Sequence, residues 1–373
     1  MDLMENPFIY GAIVTGKHFV DREKEIKELT MDLLSGQHVI LYSPRKMGKS
    51  SLIEEIFRKI NDQGKAIAVR INLQSVITKE DMARMMINEI VKNAYSSIEK
   101  AAKEIKDFFT KISVRIFIDE KGRMGIEPIF RNKEDLLEEV LAFPEKKGKK
   151  KRIIIAFDEF QEIEKFDGLG MERRMRAIME NHKNVSYLFS GSERHLISLI
   201  FENEERPFYR FGKMVRLEPV ERKKLEKFVI ERFEETGKKI NREATNFVLA
   251  FSEGIPFYVQ AICHEVWNLG NKIDLKKAKR ALDEVISSFS PGFELIWNNI
   301  GSEYQKKLLV IMAGRDKDFE LNTEFIEKHG LKSFAHIRKA IQSLEKRGMI
   351  YKNRIADFFF REWIKREKVV WNR

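Results

Sequence analysis

Apolar positions along the chain change period repeatedly. The segment HVILY, residues 38–42, carries four consecutive apolar or aromatic residues (Val39, Ile40, Leu41, Tyr42), the run expected of a strand buried on both faces. From Gly48 the spacing becomes helical, with Leu52, Ile53, Ile56, Phe57 and Ile60 along one face. AIAVRINL (66–73) alternates into a second strand, IIIAF (153–157) is another uninterrupted run, and SYLFS (186–190) and MVRL (214–217) extend the series. An earlier helix is expected from near Asp21. Strands alternating with helices predict an α/β fold around a parallel sheet.

Residues 79–139 interrupt this pattern as an insertion. It is helical through Phe109 and then reads as a hairpin: SVRIFI (113–118), a DEKG turn, and a second strand over 124–129. Residues 221–289 are expected to be helical throughout, with turns at Gly237 and at Gly254-Ile255-Pro256. The last segment differs: helices are expected at 304–312 and 323–328, then one capped by Ser333 with Phe334, Ile337, Ile341 and Leu344 on one face. Gly348 stops it and a strand begins at 349–351, which is the pattern of a winged helix. The expected division is a core at 1–220, a helical lid at 221–290 and a winged-helix domain at 291–373.

The turn between the first strand and its helix, SPRKMGKS, has the makings of a phosphate-binding loop. After Pro44, which has no N–H and lines the loop by shape alone, the backbone N–H groups of Arg45-Lys46-Met47-Gly48 and of the helix start lack intrahelical partners, and with the helix dipole they suit an anion. Lys49 would reach the β- and γ-phosphates, and the Ser50 hydroxyl would ligate Mg²⁺. The usual spacing puts glycine first; here that position is Ser43, which narrows the backbone angles while removing no donor. A phosphate site of this kind needs a carboxylate at the end of another buried strand. Asp158, at the C-terminal edge of the 153–157 run, is the strong candidate to hold Mg²⁺, directly or through water. Glu159 follows it and would polarise an attacking water, so hydrolysis is expected rather than transfer to a side chain. At the end of the SYLFS strand, Ser190 and Ser192 either sense the γ-phosphate or cap the strand.

Composition narrows the setting. The chain has 373 residues, 43 % of them hydrophobic and 34 % charged, enough for two or three domains with a real core. Its single Cys263 excludes an intrachain disulfide and lies in an apolar helical pattern, the setting of a packing thiol. Neither a secretory leader nor an apolar run of about 20 residues is present, so no membrane association is expected and the cytoplasm is the default location. The net charge of +11 is uneven: from Leu331 to Arg373 there are twelve basic and four acidic residues. Arg338, Lys339, Gln342, Lys346 and Arg347 share the exposed face of the third helix in this tail, where a recognition helix meets double-stranded DNA; winged helices also dock on proteins. The lysine-rich stretch 146–152 reads as a solvated tip.

Taken together the motifs resemble prokaryotic AAA-type P-loop ATPases of the archaeal ATPase family, relatives of the STAND signalling and origin-recognition ATPases. NPFIYGAIVTGKHFVDREKEI (6–26) is similar to that family's opening, SPRKMGKSS to its phosphate loop, and FSGSERHLISLIF with RPFYRF to its sensor strand and the segment after it. SEGIPFYVQAICHEVW (252–267) is similar to the lid motif, and ADFFFREWIK to the close of the winged helix. The resemblance implies ATP or ADP held between core and lid, with Val20, Asp21 and Arg22 bordering adenine, Gly48 to Ser51 (Lys49, Ser50, Ser51) on the phosphates, Asp158 and Glu159 at metal and water, and Pro256 on the base. Arg206 is the candidate for a charge reaching the γ-phosphate, in cis or from a neighbouring copy; its other reading is a surface ion pair. The lid lacks a clear sensor arginine beside Gly254-Ile255-Pro256. What is expected is an ATP-hydrolysing molecular switch with slow turnover. The alternatives are an ATP-controlled DNA-binding protein and a nucleotide-dependent signalling scaffold that forms a homo-oligomer or binds a protein partner.

Overall fold

The computed structural model describes residues 5–95, 98–109, 112–118, 124–130, 136–192, 194–314, 323–351 and 353–368. It divides into two compact units: Gly11–Val220, and Glu221–Arg373 joined by the N-terminal residues up to Tyr10.

In the first unit the strands are β1 (Val39–Tyr42), β2 (Ile67–Asn72), β3 (Ile112–Ile118), β4 (Met124–Phe130), β5 (Ile153–Asp158), β6 (Val185–Gly191) and β7 (Lys213–Arg216). Five of them form one parallel sheet in the order β2-β5-β6-β1-β7. Every residue of β5 and β6 is buried, which is why β5 reads as an uninterrupted apolar run and β6 carries Tyr187, Leu188 and Phe189 in succession. Helix Lys49–Asp62 buries Leu52, Ile53, Ile56, Phe57 and Ile60; at about 1.5–3 kcal/mol for each large apolar side chain, that face fixes the helix firmly to the sheet. The topology sets the site. Since β6 runs between β1 and β5, its C-terminal end lies between the loop after β1 and the acids after β5.

The insertion is two helices, Lys79–Ala94 and Ile98–Phe108, followed by the antiparallel hairpin β3–β4; the DEKG turn lies outside the described residues. A capping box between Thr78 and Asp81 starts the first of these helices. The N-terminal helix begins at Glu23, two residues after the position expected for it.

In the second unit, helices Arg222–Glu235, Arg242–Ser252, Pro256–Asn268 and Leu275–Asn298 are joined by two short strands, β8 (Lys239–Ile240) and β9 (Lys272–Ile273), which pair in parallel. The all-helical expectation for 221–289 is therefore corrected: two-residue strands are too short to leave a period in the sequence. Helix Leu275–Asn298 runs through Pro291 without a break, so the expected boundary at 290/291 falls inside it. Helices Glu303–Ala313, Thr323–Lys328 and Phe334–Lys346, then the hairpin β10 (Ile350–Tyr351) and β11 (Arg354–Ile355), give the winged-helix domain. Ser333 is the N-cap residue of Phe334–Lys346, yet its hydroxyl bonds the His336 ring at 2.9 Å rather than a backbone N–H. The closing helix, Phe358–Glu367, packs along Leu275–Asn298 through Phe293, Phe360 and Trp363, and Asp357 caps it. Phe8 is fully buried between Phe228 and Phe233, so the aromatic lead-in serves this unit's core.

Candidate active site

The loop after β1 owes its shape to two left-handed positions. Gly48, at φ 83°, precedes helix Lys49–Asp62, and a Cβ there would meet no atom within 4 Å, so glycine is required by the backbone angle and not by space. Lys46 adopts φ 71°. Ser43 is not among the described residues with positive φ, so a glycine there is unnecessary; the serine supplies an oxygen instead. Buried Lys49 donates from Nζ to Ser43 O at 3.0 Å, Ser43 Oγ at 3.2 Å and Pro44 O at 3.3 Å. Burial lowers its pKa to about 8, with Glu159 and Asp158 pulling it back up and Arg45 adding to the fall.

Asp158 stands at the last position of β5 and is 1 % exposed. Ser50 Oγ donates to its Oδ2 at 2.8 Å, and Ser190 Oγ donates to its Oδ1. Arg70, from β2, donates to Oδ2 from Nε at 3.0 Å and from Nη2 at 2.5 Å. Burial would raise the Asp158 pKa, but Arg70 and the hydrogen bonds outweigh it and hold the carboxyl below its usual value. The Ser50 hydroxyl and the Asp158 carboxylate are hard oxygen donors brought to one spot, the kind of pair that binds Mg²⁺ together with phosphate oxygens and water. Among the described residues no cluster of three or more His, Cys, Asp or Glu is arranged to hold a metal.

Glu159 occupies a left-handed backbone position, φ 55° and ψ 49°, as the chain leaves β5. Its carboxylate accepts Gln161 Nε2 at 2.5 Å, Ser192 Oγ at 2.9 Å and Ser192 N at 3.4 Å. Thus the two serines of β6's end divide the acids between them, Ser190 to Asp158 and Ser192 to Glu159. Gly191 between them is obligatory on space: a Cβ there would lie 2.4 Å from Gln161 Oε1 and 2.5 Å from Ile197 Cδ1.

The lead-in is tied to the same helix. Ser51 Oγ accepts Val14 N at 3.1 Å, and buried Glu55 accepts Gly16 N at 3.0 Å while pairing with Arg58. Val20 is buried, Asp21 accepts the N–H of Glu23, and Arg22 is 4 % exposed. Arg22 reaches Glu218 O at 2.7 Å, Glu25 at 2.8 Å and Met47 O at 3.4 Å, so its guanidinium fastens the lead-in to the phosphate loop and to the chain after β7.

Arg206 forms an ion pair, one of its two readings, though a largely buried one rather than one on the surface. It binds Glu164 at 2.8 Å and doubly engages Glu172, whose side chain is fully buried. The geometry thus gives this guanidinium to two carboxylates of its own unit. Pro256 is in the other unit, at the first turn of helix Pro256–Asn268, after the left-handed pair Glu253 and Gly254. There too, Arg338, Lys339, Gln342, Lys346 and Arg347 are all exposed on helix Phe334–Lys346 and its end, with Arg347 donating to Asn299 O at 3.1 Å.

Sequence reasoning missed Arg70, Gln161, Ser51's bond to Val14 and Glu55. Only Arg70 left a trace, as the one charge inside a mostly apolar strand.

A family model described as an ATPase domain predominantly from Archaea matches residues 19–262, and one described as a probable winged helix domain matches 291–366. No curated protein matches the chain. Among solved structures the fold is similar to the Walker-type ATPase of Pyrococcus abyssi, at TM-score 0.69 and 19 % identity, covering 95 % of this chain and 99 % of that one. It is also similar to the Aeropyrum pernix ORC2 protein solved as ADPNP-ADP complexes, at TM-score 0.57 and 13 % identity over 94 % and 95 % of the two chains. The Aeropyrum pernix ORC1 protein in complex with DNA matches at TM-score 0.51 and 14 % identity over 96 % and 95 %. No helix among the described residues is long and apolar enough to cross a membrane.

Proposed function

The chain belongs to the family of ATPase domains found predominantly in Archaea, with a winged helix after the ATPase domain, and from that premise we propose that it is a Mg²⁺-dependent ATP-hydrolysing switch. The observation that carries this reading is the Ser50 hydroxyl on the Asp158 carboxylate at the C-terminal end of the sheet, with Glu159 next in the chain to Asp158 and Lys49 next to Ser50. Bound nucleotide would lay its phosphates over the N–H groups of residues 45–51, with Lys49 turning from its loop carbonyls to the outer phosphates. Ser50 and Asp158 would hold Mg²⁺, which draws charge off the phosphates. Glu159, aimed by Gln161 and Ser192, would accept the proton of the attacking water. Through Ser190 and through Ser192, the residue just past its end, β6 touches both acids, so a change at the phosphates would reach the sheet directly; that is the element we assign to reading ATP against ADP.

The test is release of inorganic phosphate from ATP by the purified chain with Mg²⁺, compared with Lys49→Ala. Release by the wild type and none by the variant supports the reading; phosphate release that survives in Lys49→Ala sinks it.

A second reading has its own observation: Arg338, Lys339, Gln342 and Lys346 are exposed together, the arrangement of a helix that meets duplex phosphates. The chain would then bind double-stranded DNA, with nucleotide controlling occupancy. Each phosphate neutralised contributes a slope of about −0.9 in log affinity against log salt. Replacing Arg338 and Lys339 together by alanine should flatten that slope by about 2; duplex affinity indifferent to salt or to these substitutions rejects the interface.

A further inference from the structure

The Asp158 carboxylate is full. Its Oδ1 accepts Ser190 Oγ and, at 3.2 Å, the N–H of Glu159; its Oδ2 accepts Ser50 Oγ at 2.8 Å, Arg70 Nε at 3.0 Å and Arg70 Nη2 at 2.5 Å. Five donors therefore meet a group with about four lone-pair positions. Three of them are of a kind that a divalent cation can leave in place or move at small cost: two serine hydroxyls that rotate, and, on Oδ1, a backbone N–H beside one of those hydroxyls. The donors from Arg70 are different. The guanidinium is always charged, it is only 17 % exposed, and it grips the same oxygen that Ser50 touches. A metal between Ser50 and Asp158 needs that oxygen, and two cations do not share one buried carboxylate oxygen without strong repulsion.

We propose that Arg70 is the residue that sets the metal requirement of this site: it stands in for the divalent cation on Asp158 Oδ2 and must be displaced for the cation to enter. This rests on the nucleotide-site reading above and deepens it. Free Mg²⁺, strongly hydrated, has to displace the guanidinium with only Ser50 and Asp158 to gain. Mg²⁺ arriving on nucleotide phosphates brings further ligands and negative charge, which favours the exchange and gives the released guanidinium anionic surroundings. Arg70 thereby makes metal binding conditional on nucleotide, and it keeps a buried carboxylate neutralised in the meantime, a group that would otherwise be costly to leave unpaired.

The experiment titrates Mg²⁺ against the full-length chain with a fluorescent ADP analogue present, and separately follows melting temperature in Mg²⁺ alone. Arg70→Met keeps length and removes charge; Arg70→Lys keeps charge; Arg70→Gln keeps a donor, should the methionine leave Asp158 too poorly satisfied to fold. In the neutral variants the Mg²⁺ midpoint should fall tenfold or more, and Mg²⁺ alone should raise the melting temperature, as it should not in the wild type. Arg70→Lys should stay within a few-fold of wild type. A neutral variant that folds, binds the ADP analogue and has the wild-type Mg²⁺ midpoint makes Arg70 a structural ion pair only and overturns the proposal. A wild-type chain that binds no ADP analogue at any Mg²⁺ concentration overturns the underlying reading as well, and so is distinguishable.

Discussion

Ser50 and Asp158 lie 108 positions apart in the chain, and the serine hydroxyl donates to the aspartate's Oδ2 at 2.8 Å. The two residues come from different strand-to-helix turns of one parallel sheet, so their meeting depends on the strand order rather than on anything local. Replacing Ser50 by alanine should leave metal-free nucleotide binding close to wild type. The enhancement of affinity by Mg²⁺ should fall by roughly 10- to 100-fold, since an interaction with a charged centre contributes about 1.5–3 kcal/mol. Calorimetric titration of ADP with and without Mg²⁺ checks this; equal losses in both conditions would place Ser50 on phosphate instead.

Glu159→Gln should bind ATP as tightly as wild type and hydrolyse it about 10²- to 10⁴-fold more slowly, the usual contribution of a positioned general base. Single-turnover hydrolysis of bound ATP is the measurement. Turnover within a few-fold of wild type would remove the glutamate from the reaction. Gly191→Ala should slow the same step without touching any acid, because the added Cβ strikes Gln161 Oε1, and Gln161 aims Glu159.

Lys49 gives the site a pH signature. Burial lowers its pKa from 10.5 in the unfolded chain to about 8 in the folded one. Between those values the unfolded state holds the extra proton, so the contribution of this group to the stability of the ligand-free chain increases as pH rises from about 8 to 10.5. Nucleotide affinity moves oppositely. Phosphates want the charged amine, so affinity should weaken progressively above pH 8, and Lys49→Arg, whose charge persists, should show no such decline. Binding of an ADP analogue at pH 7, 8 and 9 decides it.

Arg206→Met should act chiefly on stability. It strands Glu172, whose side chain is fully buried, and breaking a buried pair from one side costs about 3–5 kcal/mol. Glu172 is held neutral more easily than an ordinary glutamate because burial raises its pKa, with Arg206 opposing, so Arg206→Met should be least damaging at acid pH. Urea denaturation at pH 5 and pH 8 tests the sign. A variant as stable as wild type but deficient in hydrolysis would restore Arg206 to the phosphates.

Much of this was legible because the signals are local. The apolar runs of β1, β5 and β6, the Gly48-Lys49-Ser50 turn and the Asp158-Glu159 pair each announce themselves within a dozen residues. The winged-helix elements do too: Thr323–Lys328 falls where its pattern puts it. What stayed hidden was pairing at long range. Arg70 reads as an interruption in AIAVRINL until β2 is seen beside β5, with Asn72 opposite Asp158. The tie of Ser51 to Val14 and the burial of Glu172 under Arg206 likewise need the packed chain. Pro291, where the winged-helix match begins, lies inside one helix, a continuity that the change of pattern there does not disclose.

That helix has a mechanical consequence. At 24 residues, Leu275–Asn298 is a rod of about 36 Å, with helix Pro256–Asn268 packed on it and Phe358–Glu367 riding alongside. Because no loop separates the two ends, the stretch carrying Pro256 and the closing helix of the winged domain cannot swivel independently. Both lean on one support, so a change that bends this helix reaches both.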